Sequence, residues 1–193
     1  LTMSMYADMD CSIIDELPPG RSPVTTNVLP DTRRSDVVTR VKSACQSGAQ
    51  AYWVCTLVEE SEVIQCQAAE ATAADLSKEL QGLTVGLIHG RLPAATKVEM
   101  MNQFKAGDID LLVATTVIEV GVDVPNSSLM VIENSERLGL AQLHQLRGRI
   151  GRSKTQSHCL LLYHSPLGET SRQRLNVLRE SNDGFHIAEK DLQ

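Results

Sequence analysis

The sequence predicts an α/β fold: a mostly parallel sheet with helices on both faces, followed by a C-terminal helical extension. Three observations carry that reading. Apolar runs of strand length alternate with helical patterns from Pro23 onward, which implies βαβ units. Several runs, such as Tyr52 to Val58 and Asp110 to Ala114, are apolar nearly throughout, as strands buried on both faces require. The distinctive polar residues follow the strands, where parallel sheets collect ligands.

The elements follow in order. Residues 1 to 20 read as an irregular, mildly acidic segment, stopped at Leu17-Pro18-Pro19-Gly20 because proline fixes φ and offers no donor. Val24 to Leu29 suits a strand. Ser35 or Asp36 caps a helix with Val37, Val41, Ala44 and Cys45 on one face, closed by Gly48. Tyr52 to Val58 is the next strand, and an Ala/Gln-rich helix runs to about Leu80. Leu83 to Ile88 is a strand. Pro93 suits the first turn of a helix with Ala94, Val98, Met101 and Phe104 on one face, ended by Gly107. Asp110 to Ala114, Leu129 to Ile132 and Cys159 to Tyr163 read as strands, with helices at Leu138 to Leu146 and Thr170 to Glu180.

At 193 residues the chain has room for one domain plus attached pieces. No apolar run approaches bilayer length, so a soluble protein without membrane partners is expected. No basic-then-apolar leader opens the chain, and the first residue is Leu1, which points to an excised piece of something longer. The five cysteines are odd in number and spread without metal-binding spacing, which fits a reducing, cytoplasmic compartment and no metal site. The net charge is −6, but it is unevenly placed. Residues 59 to 79 carry six acids against Lys78, whereas 137 to 154 carry five bases and no acid. Such a chain can hold a polyanion on one rim while the rest stays acidic.

The most informative stretch is Gln145-Leu146-Arg147-Gly148-Arg149-Ile150-Gly151-Arg152. Guanidinium forks match phosphate oxygens, and glycines beside them let backbone approach. A solvated charged face is the plain alternative. Four post-strand loops add polar groups: Thr56 and Glu59; His89-Gly90-Arg91; Thr115-Thr116 with Glu119, Gly121 and Asp123; and Glu133-Asn134. Thr115 and Thr116 either cap the next turn or grip a phosphate backbone. Asp123 either accepts turn amides or accepts hydrogen bonds from a ribose. His89 reads as a structural histidine before a catalytic one, and Gly90 as a plain turn or a phosphate approach. No Gly-x-x-x-x-Gly-Lys-Ser/Thr loop and no acidic pair suited to magnesium occur, so the arginines read as half of an active site.

Gln145-x-x-Gly148-Arg149-x-Gly151-Arg152 resembles motif VI of the superfamily 2 helicases, and Ala114 to Pro125 resembles their motif V. The run Gly139 to Arg149 is shared by the RecG family and the transcription-repair coupling factors. Ile14 to Arg21, Thr56 to Glu62 and Asn182 to Phe185 resemble RecG-family segments. The resemblance implies a second RecA-like helicase domain at 23–165, preceded at 1–22 by the tail of the first domain and the linker. It places the truncated start of a translocation hairpin at 166–193. ATP would lie between two RecA-like domains, with Mg2+ held mainly by the first of them, and with Arg152 and Arg149 as the catalytic arginines. Gly121, Asp123, Gln145 and Gly148 would lie on the nucleotide side. Thr56, His89, Gly90, Thr115, Thr116, Arg172 and Arg174 would lie on the DNA side. On the bare residues, Arg172, Arg174 and Arg179 equally suit a solvated helix face whose Leu175 and Leu178 point to the core. The implied partners are branched DNA (forks and Holliday junctions in repair and recombination) and, in cis, a wedge domain and the first motor domain. The alternatives are a coupling-factor motor and a non-catalytic module binding nucleic acid through its basic rim.

Overall fold

A computed structural model describes residues 23–56, 61–115, 124, 126–151 and 156–181. Among these residues six strands form one sheet: β1 (Val24–Pro30), β2 (Gln50–Cys55), β3 (Val85–Ile88), β4 (Leu111–Thr115), β5 (Ser127–Ile132) and β6 (Ser157–Tyr163). Their order is β1-β6-β5-β2-β4-β3, and every pairing is parallel. Among the described residues four helices join strands, α1 (Arg34–Gln46), α2 (Glu62–Glu79), α3 (Ala94–Ala106) and α4 (Leu140–Arg147), and a fifth, α5 (Glu169–Glu180), follows β6. The predicted fold class is the observed one.

The period of two along each strand sorts the core onto two faces. Tyr52, Val54, Leu112, Ala114, Met130, Ile132, Cys159 and Leu161 point to one side, under α3, α4 and α5. Ala51, Trp53, Leu111, Val113, Leu129, Val131, Leu160 and Leu162 point to the other, under α1 and α2. Tyr52 meets Phe104 of α3 edge-on, with ring centroids 4.9 Å apart. Gly86 keeps β3 close to its cover, because a Cβ there would lie 2.9 Å from Ile109 Cδ1 and 3.0 Å from Met100 Sδ.

Helix ends follow local chemistry, with two corrections to the sequence reading. Gly107 closes α3 at φ 90°, and the Asp108 N–H returns to the Gln103 carbonyl at 3.0 Å. Neither Ser35 nor Asp36 caps α1. A 3-10 turn over Asp31–Arg33 leads straight into it, and Asp36 pairs with Arg33 at 2.9 Å. Val98 was expected on the buried face of α3, yet it is 60% exposed while Met101 and Phe104 carry the burial. The expected strand end at residues 57–58 lies outside the described residues.

Candidate functional site

Because every strand runs the same way, residues that follow strands share one edge of the sheet. Thr56, His89, Thr115 and Glu133 all sit there, at the ends of β2, β3, β4 and β5. Gly90 follows His89, and its carbonyl accepts a hydrogen bond from Lys97 Nζ at 2.6 Å. The Gly90 backbone also lies against the Glu62 carboxylate of α2. Thr115, buried, closes β4 opposite Cys55. Thr116, Glu119, Gly121 and Asp123 lie outside the described residues, as does Glu59.

His89 is buried. Its Nε2 is 3.4 Å from Glu70 Oε1 of α2, and its Nδ1 has no partner among the described residues. The ring therefore leans on α2, in keeping with a structural role for the side chain, while the loop that follows it forms the edge.

The arginine-bearing turn occupies a different place. β5 and β6 are adjacent and parallel, so α4, which joins them, must run back from the strand-end edge toward the strand starts. Gln142 Oε1 receives the Gly139 N–H at 3.2 Å and fixes the start of α4. Gln145 is exposed on the helix, Gly148 and Arg149 are half-buried just beyond it, and Gly151 takes φ 81°. Ile150 is fully buried and anchors this turn in the core. Arg152 lies outside the described residues. The molecule thus presents two polar surfaces, one at the strand ends and one at the far end of α4.

Two of the expected DNA-side residues, Thr56 and Arg174, and one arginine of the basic run, Arg147, make hydrogen bonds within the fold. Arg147, part of the arginine run, is buried. It donates to the carbonyls of Leu178 at 2.8 Å and Ser181 at 2.9 Å, and to Thr26 Oγ1 at 3.3 Å. Burial pushes its pKa below the ordinary arginine value, against a smaller upward pull from Cys159. Thr56 is buried with its hydroxyl against the carbonyls of Glu133 and, at 3.0 Å, Asn134. Arg174 spends its fork on the carbonyls of Glu136 at 3.1 Å and Leu138 at 3.4 Å, and on Ser171 Oγ at 3.2 Å. Arg172 stands exposed on α5.

The sequence reading missed Arg34, which bridges α1 to Glu79 of α2 and Glu133 of the strand-end edge. No local signal marks it, since Glu133 is 99 residues away. Arg147 did carry a signal. It follows Leu140 and Leu143 at seven and four residues, which is the spacing of the buried face of α4.

Among the described residues no group of three or more His, Cys, Asp or Glu is placed to hold a metal, and no helix is long and apolar enough to cross a membrane.

Comparison with known proteins fits this architecture. The model of the helicase conserved C-terminal domain matches residues 36–154. The chain is 64% identical over its whole length to the ATP-dependent DNA helicase RecG of Escherichia coli K12 and 62% identical to that of Haemophilus influenzae. It is 42% identical to the RecG of Bacillus subtilis. It spans 28% of the length of each of these curated relatives. Among solved structures, RecG bound to a three-way DNA junction superimposes with a TM-score of 0.79 at 44% identity, over 92% of this chain and 23% of that one. The C-terminal domain of the DEAD-box protein Dbp5 shares the fold alone, with a TM-score of 0.56 at 18% identity, over 83% of this chain and 84% of that one. A family model spanning β2 to β5, most of α1 and all of α2 to α4 makes the assignment plain: the chain belongs to the helicase conserved C-terminal domain family.

Proposed function

We propose that this chain is the second RecA-like lobe of an ATP-driven double-stranded DNA translocase that remodels stalled forks and branch-migrates Holliday junctions. The supporting observation is the division of labour between two surfaces, on a chain 64% identical end to end to an ATP-dependent DNA helicase. In this reading residues 1–22 belong to the preceding lobe and linker, 23–165 form the lobe itself, and 166–193 begin a translocation hairpin.

The turn beyond α4 faces the nucleotide. A guanidinium beside a half-buried glycine, in a stretch free of acids from 138 to 167, is a donor set suited to phosphate oxygens. Arg152 is the principal arginine finger and Arg149 stands beside it, with Gln145 and Gly148 shaping the wall. Gly121 and Asp123 meet the nucleotide sugar. ATP, when bound, supplies the phosphoryl group whose transfer drives the motor, and Mg2+ is held mainly by the first lobe. The strand-end edge faces DNA through Thr115, Thr116 and the His89-Gly90 loop, with Thr56 holding that edge in shape from within. Contacts of this kind fix position without reading sequence, so binding is sequence-independent and salt-sensitive. The compartment is the cytoplasm.

Arg152→Ala in the full-length protein tests the assignment. An arginine finger contributes roughly 10³- to 10⁵-fold in rate, about 4–7 kcal/mol. ATP turnover is expected to collapse while affinity for forked DNA stays within a few-fold. Turnover within a few-fold of wild type refutes the reading.

A further inference from the structure

β1 is an edge strand. It pairs with β6 on one side, and no backbone hydrogen bond reaches its other side among the described residues. α5 lies along it. Leu175 and Leu178 of that helix point into the core, and Arg174 turns toward the Ser135–Arg137 turn. Arg172, Asn176 and Arg179, at i, i+4 and i+7, share the opposite flank, which overhangs the β1 edge. Between them lies a groove of about 390 Å³ with Val28, Leu167 and Leu175 in its floor. Among the described residues no acidic side chain lines it. Among those same residues Arg179 reaches its exposed neighbour Glu180 at 3.4 Å, a pairing that solvent screens.

These features fit one kind of occupant. An unpaired strand edge is a template for another extended polypeptide, whose amides and carbonyls alternate in step with it. A sugar–phosphate chain has no such alternation. The floor takes an apolar side chain and the flank takes carboxylates. Seven helical residues separate Arg172 from Arg179, a rise of about 10 Å. Two acids four residues apart on a strand stand about 13 Å apart, a mismatch that long side chains close.

We propose that the β1 edge and the α5 flank form a docking groove for an acidic, extended polypeptide segment that adds as a strand, with an apolar residue midway between two carboxylates. This surface lies away from the strand-end edge and from the turn beyond α4, and it assigns a polypeptide to α5 residues, Arg172 among them, that the resemblance put on the DNA side.

The probe is a labelled, end-capped peptide, Thr-Glu-Thr-Val-Thr-Glu-Thr, titrated into the full-length protein. Saturable binding is expected, weakened about tenfold by Arg172→Glu combined with Arg179→Glu, an effect of the size two exposed ion pairs give. The matching peptide with lysine for glutamate should bind that double variant better than it binds wild type. Methylating alternate backbone nitrogens of the peptide should abolish binding, because it removes the donors an edge strand pairs with. Three outcomes overturn the proposal: no saturable binding, indifference to backbone methylation, or displacement of the peptide by a short oligothymidylate at equal charge.

Discussion

Arg34 Nε donates to Glu133 Oε1 at 2.9 Å, joining the start of α1 to the point where β5 leaves the sheet. Its Nη1 reaches Glu79 Oε1 of α2 at 3.1 Å, and its guanidinium lies 5.2 Å over the Trp53 ring. Burial alone would lower the Arg34 pKa, but the hydrogen bond and charge of Glu133, then those of Glu79, more than offset it and hold it above the ordinary value. One side chain therefore ties two helices and the strand-end edge together on the face opposite α4.

A double-mutant cycle of Arg34→Gln and Glu133→Gln measures that tie. The two side chains are 31% and 19% exposed, so solvent screens part of the attraction. The expected coupling is about 0.5–1 kcal/mol, falling as salt rises. Trp53 is the only tryptophan in the chain, and its fluorescence should shift when the cation leaves its face. Additive substitutions and unchanged emission would show that the contact has no energetic weight.

Arg147 makes a larger prediction, because its surroundings are dry. Arg147→Met keeps the volume but strands the carbonyls of Leu178 and Ser181 that the guanidinium serves. Leaving buried acceptors unserved costs about 1–3 kcal/mol, and more when the lost donor is charged. We expect a loss of about 2–4 kcal/mol in urea denaturation. Amide exchange should accelerate first in the last turn of α5. Faster exchange at random positions would instead mean that Arg147 does not clasp that helix.

How much of this was legible in the sequence depends on the range of the interaction. Gly48 and Gly107 end their helices where expected because a left-handed closing residue is a local requirement. The alternation of elements was readable for the same reason. Strand order was not, since the pairing of β1 with β6 rests on contacts more than a hundred residues apart that no spacing records. The arginines divide along the same line. In composition Arg147 and Arg149 are alike, yet helical phase buries the first on the face of Leu140 and Leu143, while the second lies past the end of α4. Asn134 was noted only as a polar residue after a strand. In the structure it takes φ 49° and donates through Nδ2 to the Thr56 carbonyl at 3.4 Å, which turns the chain out of β5.

Three of the buried cysteines, Cys45, Cys55 and Cys159, are expected to make the fold sensitive to alkaline pH. Burial pushes the thiol of Cys45 up to about 11, and that of Cys55 to about 12. Cys159 is also pushed up to about 12 by burial, against a smaller downward pull from Arg147. All three remain neutral in the native state at pH values where the unfolded chain, with thiols near 9.0, has already lost those protons. The unfolded state then binds fewer protons than the native one, so stability must fall as pH rises above about 9. The slope is about 1.4 kcal/mol per pH unit for each fully shifted thiol, and it ends as pH passes the folded values. Urea midpoints taken from about pH 8 to about pH 11 should therefore decline more steeply for wild type than for Cys55→Ala or Cys159→Ala. Both variants start lower because each opens a small void. They should nonetheless converge on wild type at the alkaline end, since they have no thiolate to lose to. Parallel curves at all pH values would place the alkaline sensitivity in other groups and contradict the assignment.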